Sequence, residues 1–289
     1  MRERAQSFES RQNMKNRKYE VFHYKEPKSS AVEVHDHDFY EVYFLLMGDV
    51  SYWVEGKTYH LEPGDFLLIN PMTLHRPIVS ESSPSYERIV LWINKEFLSE
   101  FKVGDTSLEK CFIKAMENQN NLLKASSAIA QANLTSLLAK LVRENYGKEF
   151  GNELYSDGIF LQFMIELNRL SLNISNQAED NEEQSTLVSR VLEHITNNYT
   201  ENISLDDLAS KFYVSKYYLS HEFSKVVGTS VYRYIMLKRL SVAKQMLFEN
   251  INANEVCFKC GFKDYTNFYR AFRAEYGISP KELKRSKSN

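Results

Sequence analysis

The chain has 289 residues, with 36 Lys and Arg against 38 Asp and Glu and a formal net charge of −2. At roughly 150 residues per domain that length suits two domains, and a hydrophobic content of 43 % excludes wholesale disorder. Three cysteines exclude a disulfide scaffold and suit a reducing compartment.

Residues 1–18 form an arm with six basic and two acidic side chains and no apolar stretch behind it. It does not have the form of a secretory signal, so a cytoplasmic protein is expected. The longest apolar run, Val42 to Met47, is strand-sized and far below the roughly 18 residues of a membrane span, so no membrane partner is expected. Five of the six prolines fall in the first 84 residues. Strand signals dominate there: Val-Tyr-Phe-Leu-Leu at 42–46, Ser-Tyr-Trp-Val at 51–54 and Phe-Leu-Leu-Ile at 66–69. Gly48, Gly56 and Pro63-Gly64-Asp65 punctuate them, and a β domain over 19–106 is predicted.

Strand alternation puts His35, His37 and Glu41 on one face, continued by Tyr43 and Leu45, with His75 following later. Two imidazoles at i and i+2, a carboxylate and a distant third imidazole make a 3-His-1-carboxylate set for a divalent metal. A pocket for an organic effector and a structural histidine cluster are the other readings. No cofactor is required by either. Tyr43, Tyr52, Trp53, Tyr59, Arg76 and Trp92 are candidates for the pocket or its rim, unless the aromatics are simply core. Aromatics with a few polar groups suit a carbohydrate, and Arg76 suits an anionic group. The spacing His-x-His, three residues, Glu, six residues, Gly resembles the cupin signature. Its second half departs, because Gly64 to Pro71 is one residue too long and Thr73 replaces a glycine. The resemblance implies a jelly-roll β-barrel.

Over 107–172 the pattern turns helical, with Leu134, Leu137, Leu138 and Leu141, then Phe160, Phe163, Met164, Leu167 and Leu170. Residues 173–186, polar and acidic without an aromatic, read as a linker. From 187 to 289 there are sixteen Lys and Arg against ten Asp and Glu, a net of +6, leaving −8 on residues 1–186. A basic half points to a polyanion.

Within that half, Ser204-Leu-Asp-Asp207 is a capping box, followed by the buried positions Leu208, Ala209 and Phe212. After a short turn, Ser215 caps a second helix whose Leu219, Phe223 and Val226 share a face. Lys216, Tyr217, Ser220, His221, Ser224 and Lys225 face outward. This is a helix-turn-helix over 204–227. It recurs over 253–276: Asp264 matches Ser215, Phe268 matches Leu219, Phe272 matches Phe223 and Gly277 matches Gly228. One extra turn residue is accommodated around Gly261. The second unit exposes Lys263, Tyr265, Thr266, Asn267, Tyr269, Arg270 and Arg273. Between them 231–247 forms an amphipathic spacer helix, about 25 Å long at 1.5 Å per residue. Such a spacer sets two recognition helices for successive major-groove segments. Cys257-Phe-Lys-Cys260 falls at core positions, so its thiols are read as structural and not as half of a zinc site.

This half resembles the AraC/XylS family of transcription regulators. The matching residues are Leu208-Ala209, Ser215, Tyr218-Leu219, Phe223, Gly228, Arg239-Leu240, Ala243 and Leu247. They continue through Gly261-Phe262, Tyr265, Phe268, Arg270, Phe272, Gly277 and Ser279-Pro280. Ala253 and Cys257 depart from it, where the family usually has Ile and Ala. The resemblance implies a multi-domain α+β protein: a cupin-like sensing barrel, a dimerisation region over 107–172 and an all-α DNA-binding domain over 187–289. By analogy Tyr217, Ser220, His221, Thr266, Asn267 and Arg270 read bases. The implied partners are a double-stranded DNA operator, a small-molecule effector, a second copy of the chain and, for an activator, RNA polymerase. The competing expectation is a metal-dependent cupin enzyme or metal-sensing regulator built on His35, His37, Glu41 and His75.

Overall fold

The computed structural model describes residues 13–26, 32–83, 85–173 and 186–286. Most of the basic arm and of the acidic linker expected at 173–186 lies outside the described residues. The N-terminal half begins with strands Tyr19–Glu26 (β1), Tyr40–Met47 (β2), Val50–Val54 (β3), Lys57–Leu61 (β4), Phe66–Ile69 (β5), His75–Val79 (β6) and Tyr86–Ile93 (β7). Then come helix Lys95–Ser99 (α1), the small hairpin Lys102–Val103 (β8) and Thr106–Ser107 (β9), helix Lys110–Glu117 (α2) and strand Leu122–Leu123 (β10). Helices Ala128–Glu144 (α3) and Asn152–Asn173 (α4) complete it. The region expected to be helical from 107 thus contains a short strand, which pairs with β5.

The strands form an antiparallel sheet in the order β1-β7-β2-β5-β10 and a second in the order β4-β3-β6. Among the described residues no ladder closes them into the expected barrel; His35 and His75 make an isolated bridge. The alternation of the strands gives the larger sheet two buried faces. Val42, Phe44, Ile89, Leu91 and Ile93 pack on the helices, with Phe160, Phe163 and Leu167 of α4. Tyr43, Leu45, Val90 and Trp92 face the smaller sheet, meeting Val50, Tyr52 and Val54 of β3. The β3–β4 turn has two residues, Glu55 and Gly56, both at positive φ (44° and 100°), as a primed hairpin turn requires. Glutamate at such a left-handed position costs about 1–2 kcal/mol, which tertiary contacts must offset.

The basic half is all helical: Leu187–Asn198 (α5), Leu205–Lys211 (α6), Lys216–Val227 (α7), Val231–Phe248 (α8), Ala253–Lys259 (α9), Tyr265–Tyr276 (α10) and Pro280–Ser286 (α11). The duplication holds cap by cap. Ser204 and Asp207 form the reciprocal capping box, Ser215 accepts from the Tyr218 N–H, and Asp264 accepts from the Asn267 N–H. Gly228 (φ 81°) and Gly277 (φ 72°) end the two recognition helices in the left-handed region. Leu208, Leu219 and Phe223 centre one core; Val256, Cys257, Phe268 and Phe272 centre the other. Both thiols of the Cys-x-x-Cys are buried in the core of the second unit.

The spacer α8 departs from expectation. It is covered on more than one face, feeding Tyr234, Ile235 and Leu237 to one core and Leu240, Ala243 and Leu247 to the other. Its Ser241 and Lys244 are buried as well. The reason is a neighbour from the N-terminal half: Val34, Trp53 and Leu74 join the first helix-turn-helix core. The sequence pattern alone had no way to place that neighbour.

Gly261 sits at φ 80° in the second unit's turn, and a Cβ there would meet the Thr200 backbone at 2.5 Å. Gly104, at φ 56°, has nothing within 4 Å of that point. Urea denaturation of Gly261→Ala should show a loss of about 2–4 kcal/mol, from strain plus clash. Gly104→Ala should lose only about 1 kcal/mol, the left-handed penalty alone. Equal losses in the two variants would contradict the close approach.

Candidate functional site

Two sites stand apart in the structure. The first is the outer surface of the recognition helices. On α7, Lys216, Tyr217, His221, Ser224 and Lys225 are exposed and Ser220 is half-buried. On α10 and just before it, Lys263, Thr266, Asn267, Arg270 and Arg273 are exposed, and Tyr265 and Tyr269 are half-buried. Every sequence-predicted contact residue thus reaches the outside. Some are held by neighbours: Lys216 pairs with Asp206, His221 with Glu222 at 3.1 Å, and Asn267 with Asp264. Tyr217 is 83 % exposed, and no core position needs it there. Guanidinium and amide groups of this kind form bidentate contacts to base edges, while Lys and Tyr hold phosphates.

The second site lies between the two sheets. His37 and His75 are buried, and their ring centroids are 4.8 Å apart; His35 lies 4.3 Å from His75. Each imidazole donates from Nδ1 to a backbone carbonyl: His35 to Glu33 (2.9 Å), His37 to Phe39 (2.9 Å) and His75 to Thr73 (2.7 Å). A carbonyl can only accept, so the lone pair of each neutral ring is left on Nε2. The Nε2 atoms of His37 and His75 are buried without a hydrogen-bond partner. Buried polar atoms left that way are uncommon and mark a site that a ligand or water completes.

Glu41 lies among them, with Oε2 3.4 Å from His37 Nε2. It accepts from the Trp92 indole at 2.8 Å and from the Tyr52 hydroxyl at 3.4 Å. Burial by itself would raise the Glu41 carboxyl, but the imidazoles around it, His37 first, then His75 and His35, outweigh that and bring it down to about 2. Burial holds the His75 imidazole well below its ordinary value. Beyond Trp92 the interior continues through the Tyr43 hydroxyl, which donates to the Tyr86 hydroxyl at 2.8 Å. Burial raises Tyr86 to about 12, so it stays protonated.

The structure therefore brings His35, His37, Glu41, Tyr43, His75, Tyr52 and Trp92 together. It sends three others elsewhere. Arg76 points out of the sandwich to the Val226 carbonyl (3.1 Å), because it follows the inward His75 on the same strand. Trp53, next to Tyr52, packs edge-on against Tyr234 of α8. Tyr59 bonds to Asn121 near the surface. Tyr86 and buried Arg88 line the same interior and were missed; their alternation with Val90 and Trp92 along β7 was the available signal.

Comparison with known proteins follows the same division. Residues 19–164 match the family model described as an AraC-like ligand binding domain, and residues 208–286 match a helix-turn-helix domain. The HTH-type transcriptional regulator YfiF of Bacillus subtilis is 25 % identical over 257 residues, covering 86 % of this chain and 77 % of its own length. The transcriptional activator RhaS of Escherichia fergusonii is 22 % identical over 263 residues, 89 % of either chain. An apo variant of ToxT from Vibrio cholerae is 14 % identical and covers 93 % of this chain and 97 % of its own, with a TM-score of 0.42, too low to bear on function.

Arg270→Ala should weaken binding to selected operator DNA by about 1–3 kcal/mol and relax preference at one base position, measured by fluorescence anisotropy. Lys225→Ala should weaken all sequences alike and shallow the salt dependence by roughly one counterion. Unchanged binding in both variants would refute this surface.

Proposed function

The chain belongs to the AraC family of transcriptional regulators, and we propose that a small polar effector held by His35, His37, Glu41 and His75 controls its sequence-specific binding to operator DNA. The observation that carries this reading is the pair of buried Nε2 lone pairs with no donor, beside a carboxylate. A group of acceptors binds whatever brings donors. Hydroxyls of a sugar or a similar polyol satisfy both imidazoles and Glu41, and Phe39, Tyr52 and Trp92 supply aromatic walls for its C–H faces. No strongly cationic group is needed from the ligand, and Arg76 faces away.

The same atoms favour a second reading, a divalent transition metal. The ligand atoms of His37, Glu41 and His75 lie within 4.8 Å of one another. The Nδ1 bonds to carbonyls orient the rings as outer-shell bonds do in metal sites. The residues fit such an ion, which when bound would tie the 35–41 segment to β6. On this reading the chain is a metal-responsive regulator.

Two partners complete the proposal. Leu154, Ile165 and Leu172 are exposed on α4 (79 %, 38 % and 47 %), with half-buried Leu161 in the same row, packed against the core at its edge. Their spacing of seven, four and seven residues fits a helix–helix seam, and we assign it to a homodimer. RNA polymerase is the further partner if the chain activates transcription, as RhaS and the Providencia stuartii relative AarP (33 % identical over 110 residues) are named to do. No helix among the described residues is long and apolar enough to cross a membrane. The cytoplasm, where the operator lies, is its proposed location.

A thermal-shift screen of sugars and divalent metals should find a ligand that raises the melting temperature, and His75→Ala should remove that shift. A metal response abolished by chelator selects the second reading; full retention of the shift in His75→Ala refutes both. Ile165→Glu with Leu172→Glu should convert a dimer to a monomer in sedimentation velocity.

A further inference from the structure

The segments that carry the inward cluster also touch the DNA-binding domain, and they do so through the residues in between. His35 and His37 face the cluster; Asp36 between them accepts a hydrogen bond from the Tyr276 hydroxyl at 3.3 Å. His75 faces inward; Arg76 beside it donates to the Val226 carbonyl at 3.1 Å. The Arg76 guanidinium lies over Gly228, where a Cβ would fall 2.1 Å from it. Tyr52 reaches Glu41; Trp53 beside it packs against Tyr234 with ring centroids 6.0 Å apart. Met72 donates its N–H to the His37 carbonyl at 2.7 Å, and its own carbonyl accepts from Ser241 at 3.0 Å.

The far ends of these contacts are not scattered. Tyr276 is the last residue of α10, and Val226 lies in the last turn of α7. Tyr234 and Ser241 belong to α8, the helix between them, and Lys238 of the same helix pairs with Glu55 at 2.9 Å. The three-stranded sheet with its β3–β4 turn, the 34–37 segment and Met72 thus together hold the C-terminal ends of both recognition helices and the spacer that joins them. The faces expected to meet DNA stay exposed in this arrangement. The docking therefore fixes the relation of the two helices without covering them.

We propose that the three-stranded sheet and the 34–37 segment form a clamp on the two recognition helices, and that occupation of the histidine cluster reaches DNA through Asp36 and Arg76. The proposal rests on the reading of that cluster as the effector site. Neighbouring residues on an extended segment share a peptide plane and point to opposite faces. A ligand that turns His35, His37 or His75 to satisfy its Nε2 atom turns the units that carry Asp36 and Arg76. Paired recognition helices enter successive groove segments only at a matching separation. A change at their ends therefore falls chiefly on DNA that engages both.

The test uses the full chain and duplexes it selects from a random library, with a second set in which one half-site is scrambled. Tyr276→Phe and Arg76→Gln each release one helix end. Combined, they should shift affinity for the intact site at least fivefold and for the scrambled site less than twofold. His75→Phe fills the cluster without any ligand. It should shift intact-site affinity at least fivefold in the otherwise unaltered chain, and less than twofold in the Tyr276→Phe/Arg76→Gln background. His37→Gln repeats the measurement if His75→Phe fails to fold. A cluster effect that persists in full in that background overturns the proposed route. Clamp variants that bind both DNAs unchanged overturn the clamp and leave the effector site standing. Clamp variants that act while both cluster variants do nothing overturn the cluster as the effector site, and the coupling with it.

Discussion

A strand points alternate side chains to opposite faces, and in this protein both faces of β3, the middle strand of the small sheet, are buried. Tyr52 and Trp53 are adjacent and almost wholly buried, one against the polar cluster and the other against the DNA-binding domain. On β6, buried His75 faces the cluster while half-buried Arg76 beside it turns to the DNA-binding domain. The remaining organisation depends on this sharing. The sheet is an inner wall of the sensor and an outer wall of the first helix-turn-helix at once, so those two cores share it, while the core under α4 and that of the second helix-turn-helix do not draw on it.

That arrangement explains why polar groups are tolerated so deep. An isolated buried imidazole or carboxylate would be costly, but each ring here is fixed by a backbone carbonyl and Glu41 by Trp92 and Tyr52. Within that network the Nε2 atoms of His37 and His75 are buried without a hydrogen-bond partner. A partly satisfied network is poor for stability and well suited to binding. Stability is recovered from the aromatic layer around it and from the helices packed on the larger sheet.

Much of the DNA-binding half was legible along the chain. Caps, left-handed glycines and core positions recur at a fixed offset, and each acts within a dozen residues. Ser215 and Asp264 do the same work because the local geometry of a helix start requires it. The histidine cluster was also legible as a set, since alternation and turn placement bring His35, His37 and His75 near Glu41. Arg76 and Trp53 turn toward a neighbour that the chain's local pattern does not reveal. Their residue types fit a pocket rim, and the alternation that excludes them gives no hint of what lies on the other side.

The sequence by itself determined the helix-turn-helix pair, its duplication and the acidic and basic halves, because those follow from interactions between residues near each other in the chain. Only the tertiary structure decided what covers each face of the small sheet. It also decided why α8 is covered on more than one face, and that Asp36, Arg76 and Glu55 spend their polar groups on the recognition helices and spacer. A strand buried on both sides is apolar or paired on both, so hydrophobicity cannot distinguish its neighbours. Only the packing of residues some 150 to 240 positions apart can do so.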